Sequence, residues 1–288
     1  MGLLDNITTL AKIMRIEAKN IVAFIISIFF WSSCSIKSSK NLVYDAGHNL
    51  KLDVYAPKKI KIPKDVIIFI HGGNWDAGRK SMYAFFGKGM ARKGIVAVVI
   101  DYRLYPFTNF EEMAMDAAKA VKWVSENISR YGGDISKIVI SGHSAGGHLA
   151  ALIATDNSYF ETLQIKNPIY KIVLNDAFGL DMYSYLKKYG FGIDTSYAGI
   201  FTKDPKQWKK GSPIYYLKKS SPPILMYLGG KTYPKITEFS KTYYDELKKY
   251  QPDAKLITVK GRHHVEMIAQ FYLPYCKRYK EILEFIHK

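Results

Sequence analysis

The chain has 288 residues, of which 48% are hydrophobic and 23% are charged. This length allows a sizeable buried core, and α/β folds of more than about 200 residues often form a single domain. The composition excludes wholesale disorder, which requires a lower content of apolar residues.

Charge and cysteine content narrow the partners that this chain can have. The formal net charge is +17, but the lysines are scattered in short pairs such as Lys58-Lys59. Without a basic stripe interleaved with aromatic residues, this pattern predicts a solvated surface and no nucleic-acid partner. A basic charge can serve binding to nucleic acid or to an anionic membrane surface, and of these two functions attraction to anionic lipid fits the pattern better. The two cysteines, Cys34 and Cys276, form neither a disulfide framework nor a zinc-ligand spacing.

The N-terminal segment, residues 1–34, has the pattern of a signal peptide or membrane anchor. Basic residues precede an uncharged apolar run, IVAFIISIFFW, at 21–31. The run is shorter than the roughly 20 apolar residues of a membrane-spanning helix and matches a signal-peptide core. The following Ser-Ser-Cys resembles a bacterial lipoprotein signal, with Trp31 as a departure, and predicts lipidation at Cys34. We therefore predict export or anchoring in the cell envelope, with an uncleaved anchor or a buried core helix as alternatives and the polar residues 35–41 as a linker.

The remainder, residues 42–288, alternates short apolar runs with amphipathic stretches. Continuous apolar runs rich in β-branched residues predict buried strands of a parallel sheet. These runs lie at 66–70, 95–100, 137–140, 172–174, 224–228 and 255–259. Apolar residues at helical spacing predict helices at 111–127, 236–250 and 279–286. The alternation predicts an α/β fold with one mostly parallel sheet and helices on both faces.

Two segments depart from this alternation. Residues 42–43 and 50–55 predict an antiparallel hairpin ahead of the first parallel strand. Residues 178–217 contain no clean strand and are rich in Tyr, Gly and Lys. Because they lie between two predicted core strands, they predict a small cap insertion.

A strand-to-helix turn carries the strongest motif. Gly142-His143-Ser144-Ala145-Gly146 is a G-x-S-x-G sequence directly after an apolar strand and before the helical run LAALIA. In this context the serine sits on a sharp turn that exposes its hydroxyl at the carboxyl edge of the sheet. The motif predicts Ser144 as a nucleophile, while His143 is predicted to pack beside the turn.

A glycine pair follows the first parallel strand. Gly72 and Gly73, in the sequence HGGNW, allow the backbone to turn its N–H groups toward a substrate carbonyl oxygen. Together with the N–H of Ala145 they predict an oxyanion hole, in which preorganised donors stabilise a tetrahedral intermediate. His71 is predicted to brace this loop rather than to react.

Several motifs together resemble one group of enzymes. They are HGGNW, DYRLYP at 101–106, the stretch 130–152 around the serine, SPIYYL at 212–217 and GRHHVEM at 261–267. In this order they resemble the α/β-hydrolases of the hormone-sensitive-lipase-like and kynurenine-formamidase-like esterases, most of all the formamidase and feruloyl-esterase-like branch, which has a small cap. The resemblance extends from about Leu42 to the C-terminus. It implies an α/β-hydrolase fold, hydrolysis of esters or aryl amides, and no metal or organic cofactor.

The resemblance also implies where the base and the acid of a catalytic triad belong. The histidine follows the last core strand, and His264, which precedes Val265, fits better than His263. The acid belongs in a Gly-x-x-Asp pattern after the strand at 224–228, but Thr232 stands at the aspartate position. Loss of the acid lowers turnover strongly without abolishing catalysis.

Three possibilities for the triad acid stay open. Asp176 or Asp181 supplies the acid from the end of the preceding strand, Glu238 reaches the site from the following helix, or the triad is reduced to Ser–His. Thr232 retains the capacity to hydrogen-bond the imidazole without supplying charge.

The sequence therefore predicts a carboxylesterase that cleaves small acyl or aryl esters through a Ser–His acyl-enzyme mechanism. An aryl-formamidase or amidase is the alternative among enzymes. A catalytically impaired pseudo-hydrolase with a binding role is the alternative from another class. Aromatic residues in the predicted cap favour an apolar or aromatic acyl group, and they include Tyr183, Tyr185, Tyr197 and Trp208.

Overall fold

The computed structural model describes residues 36–191 and 196–288. In these ranges eight strands form a single sheet. The strands are β1 (Ile36–Asp45), β2 (Leu50–Pro57), β3 (Lys64–Ile70), β4 (Val96–Ile100), β5 (Gly133–His143), β6 (Ile169–Asn175), β7 (Ile224–Gly229) and β8 (Lys255–Val259). Their order in the sheet is β1-β2-β4-β3-β5-β6-β7-β8. Each of the six predicted core strands is present, which confirms the predicted alternation.

The sheet is mostly parallel. Strands β3 to β8 pair in parallel, whereas β1 pairs with β2 and β2 pairs with β4 in antiparallel orientation. The predicted hairpin ahead of β3 is therefore confirmed. All parallel strands end at the same edge, so the loops after β3, β5, β6, β7 and β8 meet there.

Strand β1 corrects the predicted linker over 35–41, since all of those residues from 36 onward lie in it. Ile36 pairs with Pro57 and Ser39 with Val54, so the polar segment is part of the sheet beside β2. The side chains of this edge strand are largely exposed. Polar residues therefore suit the position, because an edge strand needs backbone pairing on one side only and tolerates solvated side chains.

Helices cover both faces of the sheet. They are α1 (Ala84–Arg92), α2 (Phe110–Asn127), α3 (Ala145–Thr155), α4 (Ser158–Thr162), α5 (Met182–Tyr189), α6 (Ser196–Ile200), α7 (Pro205–Lys210), α8 (Pro234–Tyr250), α9 (Glu266–Ala269) and α10 (Lys277–His287). Successive residues of β3 point to opposite faces: Ile68 packs in a cluster with α2, α3 and α8, whereas Phe69 packs in a second cluster with α1 and α10. Both faces of β3 are thus buried, which explains its continuous apolar sequence.

The insertion predicted at 178–217 lies between β6 and β7 and contains α5, α6 and α7. It packs against the loop that follows β3. The hydroxyl of Tyr197 in α6 donates a hydrogen bond to the side-chain oxygen of Asn74, at 2.9 Å. The insertion therefore lies beside the sheet edge at which the loops meet.

The predicted signal or anchor segment and Cys34 lie outside the described residues. Among residues 36–191 and 196–288, no helix combines the length and apolar character needed to cross a membrane.

Candidate active site

The serine motif forms a strained turn. Ser144 stands between β5 and α3 with φ 53° and ψ −124°, a conformation that non-glycine residues rarely adopt. A Cβ atom on Gly142 would lie 2.2 Å from the carbonyl oxygen of Gly146, and one on Gly146 would lie 2.2 Å from the carbonyl oxygen of Ile70. Both flanking glycines are therefore required by close backbone contacts, and the turn has the geometry predicted from the motif.

The serine, one histidine and one aspartate form a continuous hydrogen-bonded chain. Oγ of Ser144 lies 2.9 Å from Nε2 of His264. Nδ1 of the same ring lies 2.6 Å from Oδ2 of Asp176. Because an ionised carboxylate only accepts hydrogen bonds, Nδ1 carries the proton that is donated to Asp176, and Nε2 accepts from the serine hydroxyl.

The two histidines of the GRHHVEM motif differ in position. His263 is exposed, and its backbone N–H donates to the Glu266 carboxylate at 2.9 Å. His264 is partly buried and points to Ser144. The structure thus brings together the pair Ser144 and His264 that the sequence predicts.

Asp176 is the carboxylate that sequence reasoning left unassigned. It directly follows β6, its φ is 50°, and its side chain is fully buried. Oδ1 accepts a hydrogen bond from the N–H of Gly229 at 2.7 Å, and Oδ2 accepts one from the hydroxyl of Thr232 at 2.5 Å. The residue at the expected acid position therefore contacts the acid itself.

The other two candidate acids lie in different environments. Asp181 caps α5, where its carboxylate accepts a hydrogen bond from the N–H of Ser184 at 3.0 Å. Glu238 lies on α8 and forms an exposed ion pair with Lys188 of the insertion, at 2.7 Å. Asp176 alone among the three candidates contacts His264.

The predicted oxyanion loop lies against the serine turn. A Cβ atom on Gly72 would lie 3.2 Å from Cβ of Ser144, and Gly73 has a φ of 128° that favours glycine. Ala145 is the first residue of α3, so its N–H has no acceptor within the helix. These positions fit donors that point toward a carbonyl carbon attacked by Ser144.

The buried histidines around the site are held neutral. His71 donates from Nδ1 to the carbonyl of Gly72 at 2.8 Å, and burial lowers its pKa to about 4. His143 donates from Nε2 to the carbonyl of His264 at 3.1 Å and stacks on the His264 ring. Burial, aided by His264, lowers the pKa of His143 to about 3. These residues brace the loops that carry the triad, in agreement with the sequence prediction for both.

An aromatic cluster joins the oxyanion loop to the insertion. Trp75 is fully buried, and its ring lies within 6.0 Å of the rings of Phe178 and Tyr197. Tyr185 packs against Phe178 at 5.1 Å. Trp208 lies elsewhere in the insertion, where it donates to the Thr202 carbonyl. Tyr185 and Tyr197, but not Trp208, therefore belong to the apolar surroundings of the loop.

One group of ligand-type side chains lies away from this site. Asp45, His48 and Asp116 have oxygen or nitrogen atoms within 4.8 Å of one another. Each carboxylate already has a cationic partner, Lys119 for Asp45 and Arg103 for Asp116. Both negative charges are compensated by the protein itself.

The mostly parallel sheet, the strained serine turn and the Ser–His–Asp chain define an α/β-hydrolase. Within that class the chain belongs to the BD-FAE family, whose model matches residues 52–237. A probable isoprenylcysteine alpha-carbonyl methylesterase of Arabidopsis thaliana is 27% identical over 84% of this chain and 60% of its own length. The kynurenine formamidase of Salmo salar is 36% identical over 44% of this chain and 42% of its own length.

A solved structure shows the same fold. It is esterase B of Lactobacillus rhamnosis, in an inhibited form, with a TM-score of 0.75 at 17% identity, covering 95% of this chain and 96% of that protein. The chain spans about three-fifths of the length of the plant methylesterase.

Proposed function

We propose that this protein is a serine carboxylesterase that hydrolyses small acyl or aryl esters. The chain of hydrogen bonds from Ser144 through His264 to Asp176 carries the proposal. The BD-FAE family membership and the esterase names of relatives support it. No organic cofactor or metal enters the proposed reaction.

In the first step the ester carbonyl binds with its oxygen between the loop of Gly72 and Gly73 and the N–H of Ala145. Oγ of Ser144 attacks the carbonyl carbon while Nε2 of His264 takes the hydroxyl proton. The resulting imidazolium is stabilised by the carboxylate of Asp176. His264 then gives its proton to the alcohol oxygen, the C–O bond breaks, and an acyl-enzyme remains on Ser144.

In the second step water replaces the alcohol. His264 takes a proton from the water molecule while the water oxygen attacks the acyl carbon. His264 then returns that proton to Oγ of Ser144 as the bond between Oγ and the acyl carbon breaks. The products are the carboxylic acid and the free enzyme. The oxyanion donors serve in both steps, because each passes through a tetrahedral intermediate with charge on the same oxygen.

Two observations bear on the competing hypotheses. The pseudo-hydrolase hypothesis depended on a missing acid, and Asp176 supplies a carboxylate at 2.6 Å from His264. A formamidase would use the same three side chains, so substrate comparison is needed to separate it from an esterase. The aromatic cluster of Trp75, Phe178 and Tyr197 holds the oxyanion loop in place for either class of substrate.

Hydrolysis of p-nitrophenyl acetate by the wild type and by Ser144→Ala tests the proposal. We expect turnover in the wild type and only background hydrolysis in the variant. N-formyl anilides assayed in parallel should be cleaved more slowly than aryl esters. Equal rates for wild type and variant would refute the esterase function.

We propose in addition that residues 1–34 direct export or anchor the protein in the cell envelope, with lipidation at Cys34. The apolar run at 21–31 and the Ser-Ser-Cys sequence after it support this proposal. Metabolic labelling with a fatty-acid probe should mark the wild type and not Cys34→Ser. A wild type that is unlabelled and found in the cytosolic fraction would refute both the envelope localisation and the lipidation at Cys34.

A further inference from the structure

The carboxylate of Asp176 is held by three donors from two segments, the end of β7 with the turn after it and the loop after β8. The N–H of Gly229 contacts Oδ1, while the Thr232 hydroxyl and Nδ1 of His264 both contact Oδ2. The side chain is fully buried. A buried carboxylate keeps its charge only when such donors replace water, so each donor contributes to the ionised state.

Thr232 is itself fixed relative to the loop that carries the catalytic histidine. Its N–H donates to the carbonyl of Gly229 at 3.2 Å, and the N–H of the preceding Lys231 donates to the carbonyl of Arg262 at 2.9 Å. The turn after β7 is thereby tied to the loop after β8. The hydroxyl of Thr232 consequently approaches Asp176 from a defined direction.

We propose that Thr232 is a positioning residue of the triad, acting through Asp176 to fix the orientation and basicity of His264. The hydroxyl has only one role toward an ionised carboxylate, which is to donate. It disperses part of the negative charge on Oδ2 and holds that oxygen in line with Nδ1 of His264. The kinetic part of this inference rests on the proposed esterase function, whereas the effect on His264 titration does not.

Removal of the hydroxyl has two consequences of opposite kind. Oδ2 retains more charge and stabilises the His264 imidazolium more strongly, so the imidazole pKa rises. At the same time the carboxylate loses one of its three constraints, so the imidazole is less well aimed at Ser144. We therefore expect the acidic limb of the pH profile to have a higher apparent pKa, and turnover on the plateau of the profile to be slower.

Titratable groups from several elements face His264 and set the background for such a shift. They are Asp176 at the end of β6, His143, whose ring lies 4.6 Å away, and Tyr233, whose ring lies 5.3 Å away.

On its own loop His264 is flanked by Arg262, His263 and Glu266. His143 has a pKa lowered to about 3 by burial and is neutral at the pH of the assay. Thr232→Val alters none of these groups directly except Asp176.

Thr232→Val and Thr232→Ser form a matched pair for the test. Valine keeps the branched shape without the donor, and serine keeps the donor. For Thr232→Val we expect a kcat about 10-fold below wild type with KM within about twofold, because a hydrogen bond to a charged group is lost in the transition state. The apparent pKa of the acidic limb in the pH profile of kcat/KM should rise by about half a unit to one unit. Thr232→Ser should stay close to wild type in both respects.

Proton NMR titration of the His264 ring in the full-length protein and the two variants supplies a readout that needs no activity. We expect a higher His264 pKa in Thr232→Val and an unchanged one in Thr232→Ser. Thermal unfolding of each variant is measured alongside, because a purely structural role would lower stability without moving the titration.

Unchanged kcat, acidic limb and His264 titration in Thr232→Val would overturn the proposal, and so would a Thr232→Ser variant that behaves like Thr232→Val. A wild type without Ser144-dependent hydrolysis would refute the esterase function instead. In that case the His264 titration still decides whether Thr232 acts on the histidine.

Discussion

The carboxylate of Asp176 lies 2.6 Å from Nδ1 of His264, although 88 positions separate the two residues in the chain. The contact is possible because β6 and β8 flank β7 in the parallel sheet, so the loops after them open at the same edge. Asp176 thus takes the acid position of the triad from the strand before the one expected.

Replacement of Asp176 by Asn should lower kcat by about 10⁴, as seen when the triad acid is neutralised elsewhere, because the imidazolium loses its counter-charge. Hydrolysis of p-nitrophenyl acetate measures the effect. The matched control is Asp181→Asn, where asparagine keeps the cap of α5 and activity should change little. Greater loss of activity in Asp181→Asn than in Asp176→Asn would show that Asp176 is not the acid.

We expect that a carboxylate placed after β7, at position 232, can replace Asp176 as the acid of the triad. Thr232 Oγ1 and His264 Nδ1 contact the same oxygen of Asp176, so a carboxylate at position 232 lies within reach of the imidazole. We expect the double variant Asp176→Asn with Thr232→Asp to regain at least about tenfold in kcat over Asp176→Asn alone. Rates no higher than those of the single variant would show that position 232 does not reach the histidine in a productive geometry.

The free energy of unfolding should fall when the pH is lowered below the ordinary pKa of histidine, about 6.5. Burial lowers the pKa of His71 and of His148 to about 4, whereas in the unfolded chain histidine titrates near about 6.5. Between these values the unfolded chain binds more protons, so the free energy of unfolding decreases as pH falls from about 6.5 toward 4, by up to about 3 kcal/mol per histidine.

Urea unfolding at pH 7 and at pH 5 measures this effect. His148→Gln removes one titrating group, so its stability should depend less on pH than that of the wild type, although it is less stable at pH 7 because its contacts with Trp75 and Gly211 are disturbed. An equal pH dependence in both proteins would exclude His148 as a contributor.

A methyl group on Gly146 should disrupt the serine turn. The added Cβ would meet the carbonyl oxygens of Ile70 and His71 at 2.2 and 2.4 Å, which forces β3 and α3 apart. We expect a loss of about 2 kcal/mol or more in unfolding free energy, with loss of ester hydrolysis. Gly47→Ala is the control, since its nearest contact would be 3.4 Å away. Wild-type stability and activity in Gly146→Ala would contradict the described close packing.

The six core strands and the nucleophile were predictable from the sequence, and the acid was not. Buried parallel strands have continuous apolar sequences, and Ser144 lies in a local motif whose glycines are dictated by backbone contacts within the turn and with β3. The position of the acid depends instead on which loop end reaches His264, and that is set by the packing of β6, β7 and the loop after β8. Asp176 was one of several open choices because no local pattern marks it.

The N-terminal part of β1, residues 36–41, was missed for a related reason. Its polar residues 36–41 resemble a linker, but they pair with β2 at the edge of the sheet, where exposed side chains carry no apolar signal. Sequence periodicity reports burial and therefore finds central strands more readily than edge strands.

Covalent labelling by a fluorophosphonate measures whether Ser144 is an activated nucleophile. Intact-mass measurement followed by peptide mapping should show one phosphonyl group on Ser144 of the wild type, much slower labelling of Asp176→Asn, and none of Ser144→Ala. A wild type that stays unlabelled, or a Ser144→Ala variant that is labelled as fast as the wild type, would show that Ser144 is not the nucleophile.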